Sequence, residues 1–199
     1  LIPILGCLPL MFIGGSNEGT LASRERTNSL MKNIALGTSL INLFISIIIW
    51  IQFDSLTSEY QFVEEFSVSL PLTQFHFNIG IDGISLYFVL LTTFITPVCI
   101  LSNWTDITNK LKYFLISFLL LETLQIAVFV VLDLFLFYIF FESVLIPLFL
   151  VVGIWGASAN RIRAAFLLFL YTLAGSLFML LAILVIYGNV GSTDFKLLS

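Results

Sequence analysis

Two glutamates, Glu122 and Glu142, lie within long apolar stretches of the sequence. Glu122 is ten residues before Leu132 and Glu142 is ten residues after it, and a tight turn is expected at Leu132 and Asp133. Because a helix rises about 1.5 Å per residue, both carboxyls are predicted about 15 Å from that turn, at nearly the same depth. Two carboxyls at one depth in hydrocarbon could share or exchange protons, as a proton relay requires. Whether they face each other depends on helix rotation, which the spacing leaves open.

Glu142 is the principal candidate because it lies near the middle of a stretch that is otherwise apolar after Asp133. An ionised carboxylate at that depth costs at least about 2.5–3.5 kcal/mol, so it must be protonated, paired or hydrated. The structural alternative is a protonated carboxyl that makes one hydrogen bond between helices. Pro147 follows five residues later, removes a backbone donor and crowds the carbonyl of Ser143. We therefore predict a kinked or loosened helix beside the acid.

For Glu122 two interpretations stay open. It is either a second carboxyl of the proton relay or, with Thr123 and Gln125 close by, part of a polar face that packs between helices. Asp133 lies at the expected membrane interface, where it is interpreted as a helix N-cap or a turn residue.

Other reactive side chains give weaker signals. Arg161 and Arg163 are interpreted as topology anchors, with a role in gating proton entry as the alternative, and His76 as an ordinary loop residue. Cys7 and Cys99 fall in apolar segments and lack the spacing of a metal site. The sequence has no Gly-rich nucleotide loop, haem ligand pair or iron–sulfur cysteine run, so we expect no cofactor, metal or redox centre in this chain.

The composition indicates the class of protein. Of 199 residues, 59% are hydrophobic and 10% are charged, against about 25% charged residues in soluble domains. Apolar chain segments that span a bilayer are helical, because lipid offers no hydrogen-bond partners to free backbone N–H and C=O groups. The predicted fold is therefore an all-α integral membrane protein. The net charge of −4 and the lack of a basic patch exclude nucleic acid as a partner.

Hydropathy predicts about six transmembrane helices. Because the sequence starts with Leu1 inside an apolar run, we expect that the natural N-terminus is missing. The predicted segments are the end of a first span at 1–14, further spans at 33–53, 84–104, 113–131, 132–155 and 164–187, a long loop at 54–82 and a tail at 188–199.

The 54–82 loop contains two stretches in which apolar and polar residues alternate, loosely over 60–68 and clearly over 75–81. Alternation with a period of two is typical of half-buried strands, and Pro71 followed by Leu72 and Thr73 suits a turn between them. We therefore predict a β-hairpin on the membrane surface.

The basic residues predict an orientation. Seven of the eight Lys and Arg residues fall in three segments, 15–32, 105–112 and 156–163. These segments alternate with the acidic 54–82 loop and the turn at Asp133, which hold none. Under the positive-inside rule, the three basic loops face the matrix or cytoplasm, and the acidic loop and the tail face the opposite side.

Three stretches carry a resemblance: FNIGIDGISLYFVLLTTF at 77–94, LDLFLFYIFFESVLIPLFLVVGIWG at 132–156 and FLYTLAGSLFMLLAIL at 169–184. They resemble the antiporter-like, proton-pumping membrane subunits of mitochondrial respiratory complex I, the NADH–ubiquinone oxidoreductase chain 4 family. The resemblance implies the N-terminal portion of a fold with about fourteen helices and inverted repeats. It matches Glu142, in FFESVLIP, to the family's essential fifth-helix glutamate.

In that family the glutamate works with a lysine on a later, broken helix. The resemblance places that helix beyond Ser199, and Lys196, in the predicted tail, is not its counterpart. We therefore expect that the half-channel is incomplete within this chain.

The resemblance also implies the surroundings of the chain. FMN, iron–sulfur clusters and ubiquinone are expected in other subunits, and the partners are other membrane-arm subunits, above all neighbouring antiporter-like ones, and lipids such as cardiolipin. The location implied is the mitochondrial inner membrane, with the three basic loops in the matrix. Two alternatives remain: a subunit of a multi-subunit cation/proton antiporter, or a truncated or split fragment with a structural or assembly role.

Overall fold

The computed structural model describes residues 2–13, 21–54, 56–57, 59–70, 73–105, 107 and 109–195, and only the backbone of 21–24, 65–70 and 73–77. The elements in chain order are α1 (Ile2–Phe12), α2 (Leu21–Gln52), β1 (Gln61–Leu70), β2 (Thr73–Ile81), α3 (Gly83–Ser102), α4 (Leu111–Val130), α5 (Leu134–Trp155) and α6 (Arg161–Val190).

The helices confirm the predicted membrane fold. Within the described ranges, five helices are long and apolar enough to cross a membrane, and α1 is a shorter apolar helix. Large apolar side chains such as Phe44, Phe94 and Phe178 lie exposed on the outside of the bundle. An apolar outer surface suits lipid as the solvent, because lipid does not penalise exposed hydrocarbon.

Helix α4 occupies the centre of the bundle. It packs against α1, α2, α3 and α5, whereas α6 packs mainly against α5. The buried apolar core lies toward the end of the bundle where α1 and α3 finish and α4 begins. Its residues are Cys7, Leu10, Met31, Ala35, Ile100, Leu111, Phe114, Leu115 and Leu119.

The predicted β-hairpin in the 54–82 loop is confirmed. Strands β1 and β2 form a two-stranded antiparallel sheet in which Ser67 is opposite His76. The register shifts between Gln61 and Glu64, and Phe62 within this bulge has a φ of 54°. The predicted turn at Pro71 and Leu72 lies outside the described residues.

The prediction that 15–32 is a loop is wrong from Leu21 onward, because α2 begins there rather than at residue 33. Arg26 and Lys32 are therefore helical. Leu, Ala, Met, Arg, Glu and Lys are all good helix formers, so this helix continues past its apolar part into a charged first section. Hydropathy detects the apolar part alone. Helix α6 likewise begins at the charged Arg161 rather than at residue 164. It also continues to Val190, past Gly188 and Asn189, where the sequence predicted its end.

Candidate functional site

Glu122 lies in the middle of the bundle, on the buried face of α4. Its side chain is 0% exposed. The Asn42 side chain on α2 donates a hydrogen bond from Nδ2 to Glu122 Oε1 at 2.8 Å. The second oxygen, Oε2, is also buried and has no hydrogen-bond partner among the described residues. Among the described residues, the carboxyl thus has one oxygen with a hydrogen-bond donor and one oxygen without a partner.

Asn42 faces Glu122 because α2 buries one stripe of residues at helical spacing. That stripe changes from apolar to polar along the helix, and its members are Met31, Ala35, Ser39, Asn42 and Ser46. Residues three and four apart share a helix face, so the polar half of the stripe points into the bundle. Ser46 Oγ is 2.8 Å from Thr93 Oγ1 on α3, while Ser39 Oγ donates to Leu36 O of its own helix.

Glu142 lies on α5 and is only half-buried. Its Oε1 atom is nevertheless enclosed and has no hydrogen-bond partner in the described part of the chain. Helix α5 continues through Pro147, which is buried, and the neighbouring Ser143 Oγ donates to Ile139 O at 2.7 Å. Since proline has no N–H, the carbonyl of Ser143 receives no bond from residue 147.

The structure therefore gives the two predicted acids different surroundings. Glu122 is joined to Asn42, and the described residues contain no hydrogen bond between Glu122 and Glu142. Both acids lie well inside their helices, α4 and α5, on either side of the same turn. A proton that passed from one carboxyl to the other would need a carrier between them, such as water.

The turn between α4 and α5 is held on both sides by backbone hydrogen bonds. Leu132 N donates to Asn78 O of β2 at 2.9 Å, and Phe195 N donates to Leu132 O at 3.0 Å. Leu134 N donates to Thr193 O at 3.0 Å. The hairpin and the segment after α6 thereby hold the turn between α4, which carries Glu122, and α5, which carries Glu142.

Side chains reinforce this turn. Asp133 Oδ1 accepts from the backbone N–H groups of Phe135 and Leu136, which confirms it as the N-cap of α5. Thr193 Oγ1 donates to Asp133 Oδ2 at 2.6 Å, and Asn78 Nδ2 donates to Asp194 Oδ2 at 2.7 Å. Asp133 thus serves a structural purpose, in line with the prediction of a cap.

We expect Asp133→Ala to lower the stability of this junction by about 0.5–2 kcal/mol, the usual cost of losing an N-cap. The variant removes both cap bonds and the acceptor of Thr193. The measurement is the heat resistance of the assembled complex, followed by native electrophoresis. Asp133→Asn, which keeps an acceptor oxygen for the cap, is the control. Equal heat resistance of the two variants would contradict a capping role.

Basic side chains donate hydrogen bonds to backbone carbonyls at helix ends on the face of the bundle opposite the Asp133 turn. Lys112 Nζ donates to Met11 O at 2.7 Å and to Ile13 O at 3.0 Å, where α1 ends. Lys32 Nζ donates to Trp104 O just after α3 and lies 5.5 Å from the centre of the Trp104 ring. The last carbonyls of a helix have no partner within it, so these bonds satisfy otherwise free acceptors.

Arg161 likewise donates to a carbonyl at the carboxyl end of α5. Its Nη1 atom donates to Gly156 O, the C-cap residue, at 3.0 Å. This contact gives Arg161 a structural role at the end of α5, whereas Arg163 is exposed. Their role as topology anchors stays a prediction. For His76 the structure describes the backbone only, in its pair with Ser67.

The buried polar residues Asn42, Ser46 and Thr93 were not predicted from the sequence. Their signal was present as Ser39, Asn42 and Ser46, which recur at helical spacing inside an apolar span. A polar stripe of this kind in a membrane helix indicates hydrogen bonds to neighbouring helices.

Comparison with known proteins agrees with the fold and the sequence pattern. The family described as NADH:quinone oxidoreductase/Mrp antiporter, TM, matches residues 131–199. The chain is 65% identical over 199 residues to NADH-ubiquinone oxidoreductase chain 4 of Mycosarcoma maydis, covering 100% of this chain and 39% of that protein. It is 50% identical over 198 residues to the protein of the same name from Arabidopsis thaliana, covering 100% of this chain and 38% of the relative.

Solved structures show the same fold. A chain of respiratory complex I from Thermus thermophilus with bound NADH superposes with a TM-score of 0.71 at 25% identity, covering 98% of this chain and 38% of that one. A chain of the membrane-bound sulfane sulfur reductase, an archaeal respiratory membrane complex, superposes with a TM-score of 0.68 at 21% identity. The superposition covers 98% of this chain and 28% of that one.

The chain spans about two fifths of the length of the curated relatives that it matches. The match reaches across the hairpin, the junction at Asp133 and both acids. The chain is therefore similar, along all of its 199 residues, to about two fifths of an NADH-ubiquinone oxidoreductase chain 4, and the family match covers α5 and α6.

Proposed function

We propose that this chain is part of a proton-translocating membrane-arm subunit of NADH:ubiquinone oxidoreductase. Electron transfer takes place in other subunits of the complex, which hold FMN, iron–sulfur clusters and ubiquinone. The enzyme activity of this chain is that of the complex. Its partners are other membrane-arm subunits, especially neighbouring antiporter-like ones, and lipids such as cardiolipin. The chain lies in the mitochondrial inner membrane with the segments 15–32, 105–112 and 156–163 on the matrix side.

One observation carries the proposal: two carboxyl side chains inside the bundle each have an enclosed oxygen without a hydrogen-bond partner in the described residues, Oε2 of Glu122 and Oε1 of Glu142. A purely structural carboxyl in lipid is expected to satisfy both oxygens, since an unsatisfied buried polar atom costs about 1–3 kcal/mol. A carboxyl that takes up and releases a proton needs one oxygen free for it. Intramembrane acids have a functional role by default.

In this proposal Glu142 is the proton-relay acid, and Pro147, which offers no N–H to the Ser143 carbonyl, loosens α5 beside it. Glu122 is a possible second carboxyl at the same depth. The lysine partner of Glu142 lies on another part of the full subunit, so proton uptake and release at Glu142 follow charge changes outside this chain. Segments α4 to α6 begin the first of the inverted repeats.

A cation/proton antiporter subunit is the second candidate, because the family description covers both kinds of protein. An antiporter would exchange protons for sodium or potassium down an existing gradient and would need no NADH. A structural or assembly role is the third candidate, since buried acids can also serve packing alone.

The test uses sealed vesicles that contain the complete complex. We expect NADH oxidation to produce a pH gradient of unchanged size when choline replaces sodium and potassium in the medium. The gradient is followed with a pH-sensitive dye, and a protonophore that abolishes it serves as the control. Proton exchange driven by a sodium gradient without NADH would favour the antiporter. NADH oxidation by the intact complex without any pH gradient would leave only the structural role.

A further inference from the structure

Asn42 and Glu122 form a polar pair between α2 and α4. The 2.8 Å bond runs from the amide Nδ2 to Oε1, and both side chains are buried. The cations whose contacts are described, Lys32, Lys112 and Arg161, bind carbonyls at the helix ends. The pair therefore lies away from these charges, in the apolar middle of the bundle.

The direction of the bond decides which oxygen carries the proton. A neutral carboxyl has one carbonyl oxygen, which accepts hydrogen bonds, and one hydroxyl oxygen, which can donate. An amide N–H donates, so the oxygen that faces Nδ2 is the carbonyl oxygen when Glu122 is neutral. Oε1 is then the carbonyl oxygen, and the proton is on Oε2, the atom without a partner in the described residues.

We propose that Asn42 is the positioning residue for Glu122: it fixes Oε1 as the carbonyl oxygen and leaves Oε2 as the site that holds and releases a proton. The inference rests on the proposed function. It adds to that function a residue of α2, which lies outside the FFESVLIP motif that contains Glu142. A neutral carboxyl fits the surroundings, since ionisation in mid-membrane is costly and Glu122 has no ion pair among the described residues. With Asn42 in place, Glu122 is a second proton-carrying carboxyl whose orientation is fixed.

The alternative is that the Asn42 bond only holds α2 against α4. Hydrogen bonds between helices are on average a weak source of stability in a membrane protein. A structural bond predicts that loss of Asn42 affects assembly alone. A positioning role predicts a change in the carbonyl of Glu122 itself.

The experiment is infrared difference spectroscopy of the complete complex, oxidised against reduced, together with NADH-driven proton uptake. A protonated carboxyl has a C=O stretching band that is assigned to Glu122 by its loss in Glu122→Gln. We expect Asn42→Leu to move that band to higher wavenumber, because the carbonyl oxygen loses its donor. Proton uptake should fall to the level of Glu122→Gln, and the double variant should fall no further, since the two residues act as one unit.

Ser39→Ala is the matched control, because Ser39 is equally buried on the same face of α2 but bonds only its own helix. It should leave the band and proton uptake unchanged. If Asn42→Leu does not assemble, Asn42→Ala gives the same readout with less bulk. An unmoved band in the Asn42 variants, or no band lost in Glu122→Gln, overturns the inference. Neither result bears on Glu142, whose own variant tests the proposed function.

Discussion

Glu142→Gln is expected to reduce NADH-driven proton uptake by about tenfold or more, within reach of the roughly 10²–10⁴-fold that a positioned acid or base contributes. Glutamine matches the size of glutamate and stays neutral, so the half-buried site on α5 keeps its packing. It cannot carry the proton that the proposal places on this side chain. NADH–quinone activity should also fall, because it is coupled to pumping, but by less than proton uptake, so fewer protons move per electron pair while the complex still assembles.

The measurement is the number of protons moved per electron pair in sealed vesicles, with assembly checked by native electrophoresis. Glu142→Asp is the control, since it keeps a titratable carboxyl on the same helix and should retain part of the pumping. A normal proton-to-electron ratio in Glu142→Gln would remove the functional case for this residue.

Glu122→Gln is expected to have the second largest effect, a loss of about twofold to threefold in proton uptake, smaller than that of an essential acid. A glutamine oxygen can still accept the bond from Asn42 Nδ2, so the contact between α2 and α4 persists. What is lost is the proton on Oε2. The loss is smaller than at Glu142 because Glu142 is the proton-relay acid of the proposed function and Glu122 is a second carboxyl.

Glu122→Leu separates the two contributions of this side chain. It removes the acceptor as well as the proton and leaves the Asn42 amide buried without a partner, at a cost of about 1–3 kcal/mol. We expect less assembled complex in this variant than in Glu122→Gln, by native electrophoresis. A greater loss of pumping in Glu122→Gln than in Glu142→Gln would reverse the order of the two acids.

The spans and the hairpin could be predicted because their signals are local. Apolar length marks the part of a helix that lies in lipid, and alternation marks the strands, so each appears within a short window of sequence. The cap at Asp133 is local as well, since it bonds N–H groups two and three residues further on. The start of α2 was missed because charged helix formers extend a helix without adding to its hydropathy.

The surroundings of the acids could not be predicted because they depend on helix rotation and on distant residues. The spacing around Leu132 gave equal depth for Glu122 and Glu142 but no direction for either carboxyl. Asn42 is 80 positions from Glu122 in the sequence, and only the packing of α2 on α4 brings the two together. The bonds from Thr193 to Asp133 and from Asn78 to Asp194 are likewise products of tertiary structure.

The charges at the helix ends have a consequence for how the orientation of the chain can be tested. The side chains of Lys112, Lys32 and Arg161 donate to carbonyls at or just beyond the carboxyl ends of α1, α3 and α5, and Asp82 and Asp133 cap the amino ends of α3 and α5 on the opposite face. Each charged group has the sign that the macrodipole favours at the helix end whose backbone it bonds. These side chains therefore hold the finished bundle together, and the three basic ones are also among the residues on which the predicted orientation rests. A charge reversal designed to invert the topology would weaken both orientations, and loss of the protein would not by itself reveal which way it had inserted.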